Sequence, residues 1–125
     1  MKYKSEDKLL IITRIKKTII YLDGVIDNFP IKEIILRDKL KGTIFDLLEI
    51  AYLANGSDKD IRLSYQKQLL VKIKMLDFYI KISCDKKIIN YKRYEKVGKH
   101  LLEITKLVHA WINSEEDKES NEKGK

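Results

Sequence analysis

The sequence predicts an all-α protein, an antiparallel up-and-down four-helix bundle, and three observations carry that prediction. Apolar residues recur at three- and four-residue steps through four long segments, with no strand-like alternation of period two. Short breaks at Phe29-Pro30, Asn55-Gly56 and Asp85-Lys86-Lys87 separate those segments, and short connections make successive helices antiparallel neighbours. The chain has 125 residues, 44% of them hydrophobic, enough for one domain with a real core. Helices of about 20–25 residues would each be roughly 30–37 Å long.

The first helix is expected from about Ser5, as N-cap, to about Asn28. Ile12, Ile15, Ile19, Leu22 and Ile26 form its inward seam, while Arg14, Lys17, Asp23 and Asp27 lie on its outer face. The proline ring clashes with an α conformation at the residue before it, so Phe29-Pro30 marks the first turn, with Phe29 plugging the end of the bundle. The second helix starts within Ile31 to Ile35 and carries Leu36, Leu40, Ile44, Leu47, Ala51 and Leu53/Ala54 on one side. It stops near Gly56, a residue able to adopt the left-handed conformation past a helix end. Gly42 inside this helix costs up to about 1 kcal/mol relative to alanine, which fits a close helix approach.

Asp58 is the expected N-cap of the third helix, with Asp60 in its first turn. This helix is apolar on two faces. Leu69, Ile73, Leu76 and Ile80 form one stripe, and Val71, Met75, Phe78 and Ile82 form another roughly 200° away at 100° per residue. A helix of a simple bundle needs one apolar face. The second stripe therefore calls for a cover, another subunit above all, unless helix three is unusually central or is covered by the N-terminal segment. Asn90 is the expected cap of the fourth helix, whose Tyr94, Val97, Leu101, Ile104, Val108 and Trp111 again alternate three and four. Lys92, Lys96, Lys99 and Lys106 share another face of it, with Glu103 among them. Residues 1–114 form the expected bundle, and residues 115–125, without an apolar side chain, are expected to be disordered.

The net charge is +7, yet residues 115–125 carry five acids against three lysines, so the preceding residues hold +9. A surface that basic favours polyanions, RNA or DNA above all. Lysines outnumber arginines 22 to 4, so such binding would run through phosphate contacts, weakly sequence-specific and sensitive to salt. AT-rich coding produces the same lysine excess, which leaves a purely structural bundle as the alternative. The lone Cys84 excludes an internal disulfide and points to a reducing, cytoplasmic setting. The apolar run from Leu9 to Ile12 is far shorter than the roughly 18 residues that span a bilayer, so no membrane partner is expected.

No phosphate loop, glycine-rich nucleotide fingerprint, zinc cysteine pair or di-iron Glu-x-x-His arrangement occurs. His100 and His109, nine residues apart, fall on opposite sides of a helix, a poor start for a metal site. No catalysis, cofactor or metal is expected. Arg93 and His100, on one helical face, resemble the Arg-x(4–6)-His motif of HEPN-type ribonucleases, in which His serves as acid or base and Arg stabilises the developing phosphate charge. That reading is the enzymatic alternative. The residue after Arg93 is Tyr94, where that family usually has a small polar residue.

Over roughly residues 9–112 the sequence resembles the Avd-like four-helix-bundle family, the accessory variability determinants of diversity-generating retroelements, which is related to bundle proteins encoded by ribosomal RNA intervening sequences. The resemblance lies in Phe29-Pro30 before helix two, the Leu40/Ile44/Leu47-Leu48/Ile50-Ala51 core ending in Ala54-Asn55, and Leu76-Asp77-Phe78-Tyr79-Ile80-Lys81-Ile82 in helix three. It continues in Ile88-Ile89-Asn90 leading into helix four and in Glu103-Ile104 before Trp111-Ile112. The resemblance implies a homopentameric barrel of bundles and a non-catalytic partner that binds a reverse transcriptase and its template RNA. Members often carry basic residues at the positions of Asp77 and Lys81; Lys81 keeps that character and Asp77 reverses it.

The expected function is a non-enzymatic, basic homo-oligomer binding nucleic acid alongside a reverse transcriptase. Lys74, Lys81, Lys92, Lys96, Lys99 and Lys106 are the expected nucleic-acid surface, and Val71, Met75, Phe78 and Ile82 the expected subunit interface.

Overall fold

The computed structural model of the chain describes residues 5–123, with the surroundings of side chains from Leu10 to Glu116. It contains α1 (Ser5–Ile26), a 3-10 turn (Ile31–Glu33), α2 (Ile34–Asn55), α3 (Lys59–Asp85) and α4 (Tyr91–Lys123), and no strand among the described residues. Each helix packs against two others in the cyclic order α1, α2, α3, α4, with no close backbone approach between diagonal helices among the described residues, and α2 and α3 share the most extensive pairing. Short connections reverse the chain each time, which gives the antiparallel up-and-down bundle.

The core follows the apolar periodicity. Ile11, Ile15, Leu22 and Ile26 of α1 meet Leu40, Ile44, Leu47 and Ala54 of α2, Leu69, Leu76 and Ile80 of α3, and Ile104, Val108 and Trp111 of α4, all nearly inaccessible to solvent. The seam of α1 is broader than expected: Ile11 and Val25 are buried beside Ile12 and Ile15, while Ile19 is half-buried. Leu53 and Ala54 separate cleanly, Ala54 inside and Leu53 outside.

The connections show how the chain turns. After α1, the Phe29 N–H donates to the Ile26 carbonyl at 2.9 Å and the buried Phe29 ring closes that end of the core. Pro30 is extended, with φ −60° and ψ 149°, and α2 begins only after the 3-10 turn. Gly56 is not left-handed, since its φ is −92°. The Gly56 and Ser57 N–H groups donate to the Tyr52 and Ala54 carbonyls at 3.0 and 3.4 Å, and Arg62 adds to them, its Nε donating to the Ala54 carbonyl at 3.1 Å and its Nη2 to the Ser57 carbonyl at 2.7 Å. A guanidinium thus reinforces the helix end beside its backbone donors. Asp58 holds the N-cap position of α3 in extended backbone, without a side-chain hydrogen bond to the helix. The left-handed residue lies at the end of α3 and is Lys87, with φ 62°. The Lys87 N–H donates to the Cys84 carbonyl and the Ile88 N–H to the Ser83 carbonyl, each at 2.9 Å, the paired bonds of a Schellman ending. Asn90 caps α4 as expected, its Oδ1 accepting from the Arg93 N–H at 2.9 Å.

The expectation of disorder from residue 115 is corrected for residues 115–123, which continue α4 without a break as far as Lys123. Glutamate and lysine are good helix formers, and extending a nucleated helix is far easier than starting one. Glu115 also anchors the extension, since its Oε1 accepts from Arg62 Nη1 at 2.6 Å and from Trp111 Nε1 at 3.1 Å. Residues 124 and 125 lie outside the described residues.

Candidate nucleic-acid interface

The candidate surface begins with α4. Its helical spacing puts Lys92, Lys96, Lys99 and Lys106 along one side, and all four are exposed. The fold then sets α1 beside this stripe. Lys96 Nζ stands 4.7 Å from the centroid of the Tyr21 ring, a cation–π contact. Arg14 Nη1 pairs with Glu103 Oε2 at 2.9 Å, both groups partly solvated. Glu103 is an acid inside the lysine stripe, compensated by Arg14, and the exposed Glu95 flanks the stripe one turn from Lys92 and Lys99. Lys17, one turn beyond Arg14 on α1, and Arg93, at the start of α4, are exposed and extend the cationic strip.

His100 lies within this strip. Its ring stacks on Tyr21, with centroids 5.4 Å apart and planes 23° apart, and its Nδ1 is 3.4 Å from Thr18 Oγ1. The Thr18 hydroxyl donates to the Arg14 carbonyl at 2.9 Å, and with its proton so placed the oxygen can accept from His100 in the tautomer that carries hydrogen on Nδ1. Loss of water contact, with the nearby Lys96 and Arg14 charges, holds the His100 pKa below its usual 6.5 despite the opposing pull of Glu103. Arg93 lies on the same side of α4 two turns away, about 10 Å along the axis.

The remaining expected lysines stand elsewhere. Lys74 and Lys81 are exposed on α3 and share a side of that helix with Asp77, which is also exposed. The α1–α4 strip thus contains four of the six lysines read from the sequence. Arg14, Lys17, Arg93 and the Tyr21–His100 stack join them. Nothing local in α1 signals that Arg14 and Tyr21 belong with a lysine row about 80 residues later. The periodicity marked Arg14 and Lys17 as outward-facing, and only the pairing of α1 with α4 completes the set.

The opposite side of the bundle has a different character. Val71 is 60% exposed, Phe78 54% and Met75 38%, while Ile82 is half-buried. Ile35 and Phe45 of α2 are exposed as well. A shallow groove between α2 and α3 is lined by Ile35, Gly42, Thr43, Met75 and Tyr79, with Asp38, Lys39, Asp46 and Lys72 at its sides. Lys72 Nζ reaches Asp46 Oδ2 at 3.2 Å across it. A β-carbon at Gly42 would meet nothing within 4 Å, so no neighbour in this chain approaches closely enough to require glycine there.

Among the described residues no group of three or more His, Cys, Asp and Glu is placed to hold a metal ion, and no helix is long and apolar enough to cross a membrane. No protein-family model matches the chain, and comparison with curated proteins finds no match.

Proposed function

We propose that the chain is a non-catalytic, self-associating bundle that binds RNA or DNA through phosphate contacts on its α1–α4 face. The observation that carries this reading is the cationic strip of Arg14, Lys17, Lys92, Arg93, Lys96, Lys99 and Lys106, in which Glu103 is already paired with Arg14. Point-charge lysines on a convex helix pair suit phosphates better than base edges. The exposed apolar α2–α3 face supports self-association, which would leave the cationic faces outward on the assembly. The resemblance to the Avd-like family adds a homopentamer and a reverse-transcriptase partner to the reading, making the protein an accessory that holds template RNA for the polymerase.

Titration of a labelled single-stranded RNA at increasing salt tests the central claim. Five phosphate contacts predict a loss of roughly 100-fold in affinity between 50 and 200 mM salt, and each lysine-to-glutamine change on the α4 stripe should lower the log–log slope by about 0.7. Affinity indifferent to salt would refute the phosphate mechanism. A bundle that only self-associates would form the same oligomer and leave the RNA free, so this titration also separates the two readings.

A further inference from the structure

His100 sits half-buried within the cationic strip. The groups facing it from α1 are Arg14, Thr18 and Tyr21, and those from its own helix are Lys96 and Glu103. Because Thr18 accepts from Nδ1–H, the neutral ring has its lone pair on Nε2. The buried side-chain nitrogens without a partner among the described residues are Arg37 Nε and Gln66 Nε2. Nε2 of His100 is not one of them, and among the described residues no hydrogen bond occupies it, so this atom keeps some solvent contact within the cationic strip.

We propose that nucleic-acid binding on the α1–α4 face is coupled to proton uptake at His100 Nε2, the new N–H donating to a phosphate oxygen drawn in by Arg14 and Lys96. The proposal rests on the reading of that face as the nucleic-acid interface. Its sign follows from the surroundings. Without a ligand, burial and the two cations disfavour the imidazolium, so the ring is neutral near pH 7. A docked phosphate brings a negative charge and an acceptor, both of which favour the protonated ring. Linkage is reciprocal: if phosphate raises the His100 pKa, lowering the pH strengthens binding. Uptake of one proton limits the gain to about tenfold per pH unit.

The test is the affinity of the full chain for an oligouridylate carrying a pH-insensitive dye, measured by anisotropy between about pH 7.5 and 5.5 at fixed ionic strength. Wild type and His109→Gln should bind about fivefold to tenfold more tightly at the acidic end, and His100→Gln should bind with little change across the range. Affinity that is level with pH in wild type, or a gradient that survives in His100→Gln, overturns the coupling while leaving the interface reading intact. Absence of binding at every pH overturns the interface reading itself. Should His100→Gln fail to fold by circular dichroism, the imidazole resonance of wild-type His100 decides. Its titration midpoint moves upward on adding the oligonucleotide if the coupling exists, and an unmoved midpoint refutes it.

Discussion

Gln66 lies on the apolar side of α3, 1% exposed, with its Nε2 unpartnered. Its buried neighbours in polarity, Thr18 and Ser83, are satisfied, each hydroxyl donating to a carbonyl one turn back. An amide nitrogen removed from water without an acceptor is destabilising by about 1–3 kcal/mol. Gln66→Met keeps the unbranched length and removes the polar atoms. Urea unfolding should therefore show a gain of about 1 kcal/mol, and a loss of that size would mean that the amide is engaged in the folded chain. His100 is a different case, since its ring is only half-buried and each of its nitrogens has an assigned state.

Two helix ends carry the element-scale arguments. Arg62 joins three elements at once, reaching the end of α2 through Ala54, the following turn through Ser57, and α4 through Glu115. Its side chain is 19% exposed and that of Glu115 17%, so the ion pair is shielded, and each of the three guanidinium nitrogens donates one hydrogen bond. Arg62→Lys places one ammonium where three directed donors stood, and a loss of about 2 kcal/mol is expected in thermal or urea unfolding. An unchanged stability would show that water replaces the fork without penalty. At the other end of the bundle, Lys87 holds a left-handed backbone that costs a non-glycine residue roughly 1 kcal/mol. Lys87→Gly should raise stability by somewhat less, about 0.5–1 kcal/mol, because glycine also gains freedom in the unfolded chain. A destabilised variant would mean that the lysine side chain contributes contacts of its own.

For the whole molecule, the α1–α4 pair carries the cationic strip and the α2–α3 pair the exposed Val71, Met75 and Phe78, while Ile20 of α1 and Leu102 of α4 are exposed as well. A chain of net charge +7 repels its own copies, and in the α2–α3 groove Asp38 and Asp46 balance Lys39 and Lys72. The same face exposes Val71, Met75 and Phe78 together, which a solitary domain has little reason to do. Light scattering at moderate salt should give a mass of several chains, near five on the Avd-like reading. Phe78→Asp should reduce that mass while the helix content stays unchanged, because Phe78 is 54% exposed and the bundle does not depend on it. A wild-type monomer, or an assembly indifferent to Phe78→Asp, would remove this face from the interface.

Apolar periodicity alone determined four helices, their approximate limits and most of the core, because a bundle helix repeats one local rule along its length. Turn chemistry was legible where it is encoded in a side chain, as at Pro30 and Asn90. It was not legible where a distant group supplies it: Gly56 ends α2 with the help of Arg62 rather than its own backbone freedom, and the left-handed position fell to Lys87. The extension of α4 past residue 114 is not legible locally, because residues 115–125 have no apolar periodicity and the anchor is tertiary: Glu115 is held by Arg62 and Trp111. The lysine stripe of α4 was visible as a row of charges. Only tertiary structure brought Arg14, Thr18 and Tyr21 to that row and placed a half-buried histidine between them, because which helices become neighbours depends on the packing of the whole chain and not on any local stretch of it.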